Sequence, residues 1–134
     1  MLKTFTVDGD PRGKQRPRHT KQGIVYTPTE TTQYEKRVAL EYRRVGGELI
    51  DGPVKVEIWS FFRIPASKSK KAAAEMLGRP ADKKPDIDNI EKIVLDGLQG
   101  VAFKDDKQVT ETISHKIYWA TARVVVSVYD MAAE

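Results

Sequence analysis

Apolar and polar positions along the chain alternate with two different periods, and the period assigns each segment. Leu2, Thr4, Phe5, Thr6 and Val7 read as a short strand that ends at the turn residues Asp8, Gly9, Asp10 and Pro11. The segment PRGKQRPRHTKQG that follows has no apolar period and is predicted to be a loop, with Gly23 to Tyr26 as a brief strand after it. Pro28 and the cluster Thr29 to Thr32 are helix-start signals, and Tyr34, Val38, Tyr42 and Val45 then form one helical stripe that stops at Gly46 and Gly47. From Val54, VKVEIWSFFRI first alternates and then becomes fully apolar, which predicts a strand with one face deeply buried, ended by Pro65.

SKSKKAAAEMLG predicts a short helix with a lysine-rich first turn, and RPADKKP an exposed, positively charged connector. Between Asp88 and Leu98 the residues Ile90, Ile93, Val94 and Leu98 lie on one helix face, with Gly100 as the stop. Val109 to Trp119 and Arg123 to Tyr129 read as two strands joined through Ala120 to Ala122, an antiparallel hairpin. No internal repeat and no alternating βαβ register is present. The predicted class is therefore α+β: helices packed on a mixed, mostly antiparallel sheet, in one domain over residues 1–134.

Composition narrows the chemistry. The chain has 134 residues and no cysteine, which removes disulfides, thiolate zinc sites and cysteine nucleophiles. No run approaches the roughly 18 apolar residues of a membrane span, and MLKTFTVDGD lacks the layout of a secretory signal, so a cytoplasmic protein without a membrane partner is expected. The net charge of +4 is segregated: residues 1–85 carry 18 Lys and Arg against 10 Asp and Glu, whereas residues 86–134 carry 5 against 9. A basic stretch followed by an acidic one suits a protein that holds a polyanion with one part and a cation with the other.

The acidic part contains the candidate chemistry. Asp86 and Asp88 are one residue apart, and in extended chain such a pair points to the same side just ahead of the helix. Two close carboxylates repel unless a cation lies between them, and Mg²⁺ takes such oxygen ligands while keeping waters and phosphate oxygens. Asp106, brought back by the turn after the helix, would be a third. Asp88, Lys92 and Asp96 follow at successive i+4 steps, about 40° apart around the helix, so Lys92 stands one turn from the proposed metal. A lysine there can hold a phosphate, or it can be an ordinary surface ion pair. Each aspartate pair can equally be structural: Asp before a helix is a common cap, and Asp-Asp a common turn.

Other chemistries have little to stand on. His19 and His115 have no partner at metal spacing, and Gly9, Gly13, Gly46 and Gly47 form no phosphate-binding pattern, so no organic cofactor is expected. The loop cations Arg12, Lys14, Arg16 and Arg18, with Lys68, Lys70, Lys71, Lys83 and Lys84, are candidates for gripping nucleic-acid phosphates.

Asp86-Ile87-Asp88-Asn89 with Lys92, then Asp96-Gly97-Leu98, Phe103 and the pair Asp105-Asp106, together with Pro17-Arg18 in an early basic loop, resembles the RusA-type Holliday-junction resolvases of bacteria and their prophages. The resemblance implies that Asp86, Asp88 and Asp106 are metal ligands and Lys92 an essential lysine. It implies a homodimer that nicks two opposed strands of a four-way DNA junction in recombination and repair, using Mg²⁺ with Mn²⁺ as a possible substitute. Asp105 is the doubtful member of its pair, since one of two adjacent residues in an extended segment points away. Strand faces carrying Ile113, Tyr118 and Trp119 are the candidate dimer contact. A nucleic-acid-binding module without catalysis and a metal-dependent ribonuclease are the competing readings.

Overall fold

The computed structural model describes residues 2–133, and Met1 and Glu134 lie outside the described residues. In chain order the elements are β1 (Leu2–Asp8), β2 (Arg18–His19), β3 (Val25–Tyr26), α1 (Thr29–Arg44), β4 (Val54–Arg63), α2 (Lys70–Met76), α3 (Ile87–Leu98), β5 (Val109–Trp119) and β6 (Arg123–Asp130). Single 3-10 turns at Asp106–Gln108 and Met131–Ala133 complete them. No helix among the described residues is long and apolar enough to cross a membrane.

The main sheet has the order β1-β6-β4-β5, with β1–β6 and β6–β4 antiparallel and β4–β5 parallel. The class is α+β, as expected, but the expected β5–β6 hairpin does not form. Strand β4 is inserted between them. Ala120 to Ala122 thus bridge two strand spacings, about 9.5 Å, which three extended residues can span. The central position goes to the strand with the most strictly alternating burial: Val54, Val56, Ile58, Ser60 and Phe62 are buried, and Lys55, Glu57, Trp59 and Phe61 face the other way. The fully apolar half of β4 therefore serves two faces, and its Trp59 and Phe61 lie on the side that no long helix covers.

Helices α1 and α3 pack on the inner face and against each other, α1 over β1 and α3 over β5. Their crossing is close because Gly97 has no side chain: a Cβ there would stand 2.8 Å from Val38 Cβ and 2.9 Å from the Glu35 carbonyl oxygen. The α1 stripe is Tyr34, Val38 and Tyr42, joined by Thr31. Val45 does not belong to it; it follows the helix and is exposed. Gly46 (φ +80°) takes the left-handed position there, the Gly46 N–H donates to Arg43 O and the Gly47 N–H to Tyr42 O, the paired bonds of a Schellman stop.

The connector RPADKKP is not free. The Tyr118 N–H donates to Arg79 O, the Ala81 N–H donates to Lys116 O, and Ala81 is buried. The segment lies along the outer edge of β5 and covers part of the backbone groups that an edge strand otherwise exposes. This fixes the approach of the chain to Asp86.

Candidate active site

Helix α3 begins against the basic loop. Asp86 occupies its N-cap position in extended geometry, yet its side chain accepts no capping hydrogen bond. Asp88 is inside the first helical turn rather than in extended chain, and its Oδ1 accepts the Asn89 N–H at 2.9 Å. The expected same-side pairing of the two in extended chain is therefore replaced by two exposed carboxylates flanking a helix N-terminus, where the helix dipole favours negative charge. Asp86 thus makes no side-chain cap, while Asp88 satisfies one first-turn N–H with one of its two oxygens.

The loop comes up to the start of α3 because Gly13 lies flat against Pro85 and Asn89, the residues flanking these acids. A Cβ at Gly13 would stand 2.8 Å from Pro85 Cβ and 3.1 Å from Asn89 Cβ, and the Lys14 N–H donates to Asn89 O at 2.8 Å. Between loop and helix is a cleft of about 370 Å³ lined by Arg12, Gln15, Lys84, Asp86 and Asn89, among others. A second cleft of about 220 Å³, lined by Phe62, Arg63 and Lys83, shares Pro11 and Lys84 with the first. Together they make a cationic trough with Asp86 in its wall; Lys84 Nζ is 3.9 Å from Asp86 Oδ1.

The expected cations thus divide. Arg12, Lys14, Lys83 and Lys84 line the trough, though the Lys14 ammonium is tied up elsewhere. Arg16 and Arg18 are exposed farther along the loop, Arg18 within the β2–β3 ribbon. Lys68 and Lys70 border a separate apolar groove beside α2. Lys14 is directed inward: its Nζ is 2.6 Å from Glu35 Oε2 and 3.1 Å from Asp96 Oδ2, so its ammonium ties the loop to α1 and α3.

Lys92 Nζ donates to Asp96 Oδ1 at 2.9 Å, which makes Asp96 a bridge between two lysines. Burial, the largest influence on Asp96, pushes its carboxyl up, but the hydrogen bonds and charges of Lys92 and Lys14 outweigh it and hold the group below 3.8. Burial likewise pushes Lys14 down, and Glu35 and Asp96 outweigh it to raise the ammonium above 10.5. A depressed carboxyl contributes stability that is present above its unfolded value and lost as pH falls through the folded one; a raised lysine contributes stability lost as pH rises through its folded value. Urea unfolding as a function of pH should therefore show a plateau at neutral pH and a fall on either side, below about 4 and above about 10.5. In Asp96→Asn the acid fall should shrink; an unchanged acid limb would show that Asp96 does not drive it.

Asp106 does not join Asp86 and Asp88. Among the described residues no group of three His, Asp or Glu side chains is gathered closely enough to hold a metal ion. The turn after α3 closes on that helix's own C-terminal end, with Gln99 bridged to Phe103, so Asp106 opens its 3-10 turn separately. Asp105 is the structural member of the pair. Its Oδ1 accepts the Lys107 N–H, which holds the carboxyl below its ordinary value, while Gln108 Oε1 accepts the Asp105 N–H, a reciprocal capping box. Gln108 Nε2 also donates to the carbonyls of Ile50 and Gly52. The D-x-x-Q spacing carried that signal. Glu91, by contrast, gave none: it accepts from Thr112 and Ser114 of β5, a contact set only by how α3 lies on the sheet.

The donors that are present suit a hard cation in part. Mg²⁺ commonly takes one or two protein carboxylates and completes its shell with water and substrate phosphate oxygens. Asp86 and Asp88, exposed oxygen donors beside a cationic trough, can supply that share.

Comparison with known proteins bears on the same residues. A Bacillus subtilis (strain 168) protein named "Uncharacterized protein YqaN" is 34% identical over 138 residues, covering 96% of this chain and 96% of its own. The family profile described as Endodeoxyribonuclease RusA matches residues 8–129, a span that begins at the last residue of β1 and includes the basic loop, β4, β5, β6 up to Tyr129 and every acidic residue considered above. With fold class, loop and acidic helix in agreement over that span, the chain belongs to the RusA endodeoxyribonuclease family.

Proposed function

We propose that the protein is a Mg²⁺-dependent, structure-selective endonuclease that resolves four-way DNA junctions by paired nicks in recombination and repair. Family membership implies junction-resolving endonuclease activity. The observation that carries the finer reading is the cationic trough walled by Asp86 at the N-cap of α3, with the exposed carboxylate of Asp88 two residues on in the first turn. Arg12, Lys83 and Lys84 would hold backbone phosphates, which positions DNA without reading its sequence. Asp86 and Asp88 would hold the divalent ion, and Asp106, on its separate turn, is not part of that ligand set; Mn²⁺ is an expected substitute. When bound, the ion supplies an activated water and a counter-charge for the reacting phosphate. Lys92, one turn along the helix, would neutralise phosphate charge that builds up during the displacement.

Paired nicks need two sites, and a two-fold dimer supplies them. Its contact is proposed to be the uncovered sheet face. In-register residues there are Trp59 with His115 and Val125, and Phe61 with Ile117 and Arg123. Trp59 stacks on His115 at 3.9 Å between ring centroids, and the Arg123 guanidinium covers the Phe61 ring at 4.1 Å. Lys55, Glu57, Glu111 and Arg123 give the face both signs of charge, as a self-complementary surface requires. Of the expected contacts, Ile113 and Trp119 share this face. Tyr118 does not: strand alternation turns it inward, where it packs against the core.

The test is a nicking assay with Mg²⁺ on a four-way junction, a linear duplex and single-stranded RNA. Paired cuts in the junction alone are expected. Binding without any cut would favour a non-catalytic module, and cleavage of the RNA a ribonuclease.

A further inference from the structure

We propose that Asp96 is a positioning residue that holds the Lys92 ammonium away from Asp88 and so leaves the Asp86 and Asp88 carboxylates available to a divalent cation. The inference rests on the reading of those two residues as cation ligands. Lys92 has a carboxylate one turn to either side, Asp88 at i−4 and Asp96 at i+4. In an isolated helix the better i,i+4 pair has the acid N-terminal to the lysine, which would favour Asp88. The structure makes the opposite choice, with Lys92 Nζ 2.9 Å from Asp96 Oδ1.

Surroundings explain the choice. The Asp96 side chain is 19% exposed, and its other oxygen is 3.1 Å from Lys14 Nζ, which in turn rests on Glu35. An ion pair in this half-buried setting is stronger than one with the exposed Asp88, whose Oδ1 already accepts a backbone N–H. Two acids and two bases, Glu35, Lys14, Asp96 and Lys92, therefore close a balanced chain from α1 through the loop to α3. If Asp96 loses its charge, the next carboxylate within reach of Lys92 is Asp88. An ammonium there competes with a divalent cation for the same oxygens.

The test is a double-mutant cycle on Mn²⁺ affinity, measured by electron paramagnetic resonance on the intact protein without DNA. Lys92→Gln should alter Mn²⁺ affinity by less than about twofold in the wild type but tighten it about thirtyfold in Asp96→Asn, the effect of removing one unit charge about 4 Å from a divalent ion in water. Equal effects on both backgrounds overturn the role of Asp96. Asp86→Asn/Asp88→Asn is titrated alongside. If that variant binds Mn²⁺ like the wild type, the cation site itself is misassigned and the role of Asp96 falls with it. Should Asp96→Asn fail to fold, NMR on the wild type decides: a cross-hydrogen-bond coupling from Lys92 Nζ to the Asp96 carboxyl carbon should persist when Mg²⁺ is added, and a coupling to Asp88 instead overturns the proposal.

Discussion

Asp88→Asn should reduce Mg²⁺-dependent junction cleavage by at least about 100-fold, more than is usual for a group that only orients a metal ligand. The substitution keeps the shape of the side chain and its acceptor for the Asn89 N–H, so what it removes is charge. The cost to folding is confined to one carboxylate at a helix N-terminus, about 0.3–1 kcal/mol. Junction binding without metal should hold or tighten, because a carboxylate that repels phosphate has gone. Cleavage rate, metal-free binding and the unfolding midpoint separate these effects. A protein that folds, binds junctions and cuts at near-normal rate would remove Asp88 from the chemistry.

Trp59→Glu should leave the protomer folded and take the dimer apart. Trp59 is half-buried on the face away from the α1 and α3 core, so a glutamate there meets water in the monomer. In a two-fold interface it would instead be buried against apolar neighbours, and near the two-fold axis its own symmetry mate would add like-charge repulsion. An interface of ordinary size buries about 800 Å² on each partner, and an unpaired charge near its centre costs several kcal/mol. Light scattering at micromolar concentration should report half the wild-type mass, and nicks in the two opposed junction strands should become uncoupled. A variant that stays dimeric places the contact on another surface; a wild type that is monomeric with junction bound removes the dimer and the paired-nick mechanism together.

Most of what could be read from the sequence was local. The period of two in β4 and the stripe Ile90, Ile93, Val94 and Leu98 in α3 each need only a short window, and both are buried as their spacing implies. Strand neighbours are not local. The short link at Ala120 to Ala122 suggests a hairpin by itself, and only the burial of β4 between β5 and β6 explains why none forms. The inward turn of Tyr118 was legible from its odd step relative to Trp119 along one strand. Lys14 was not: among the four candidate loop cations its sequence neighbourhood is ordinary, and its partners Glu35 and Asp96 come from two different helices. The acidic motif marked Asp86 and Asp88 as candidates without showing that α3 starts one residue before Asp88, which changes how the two carboxylates stand.

The place of β6 governs when a working enzyme can exist. It is the last strand made, yet it lies between β1 and β4, and Thr4 is hydrogen-bonded to Ser127 across a sequence separation of 123 residues. On the ribosome, Asp86, Asp88 and Lys92 are all synthesised before the strand that joins the two parts of the sheet. A nascent or prematurely terminated chain therefore carries every residue of the proposed chemistry while β1 has no partner and α1 has no completed sheet beneath it. Closing a loop of that length also makes the sheet slow to form, as non-local strand pairing generally is. The sheet is thereby completed only once β6 has been made, and translation products that stop short of it lack the scaffold on which the proposed site is built.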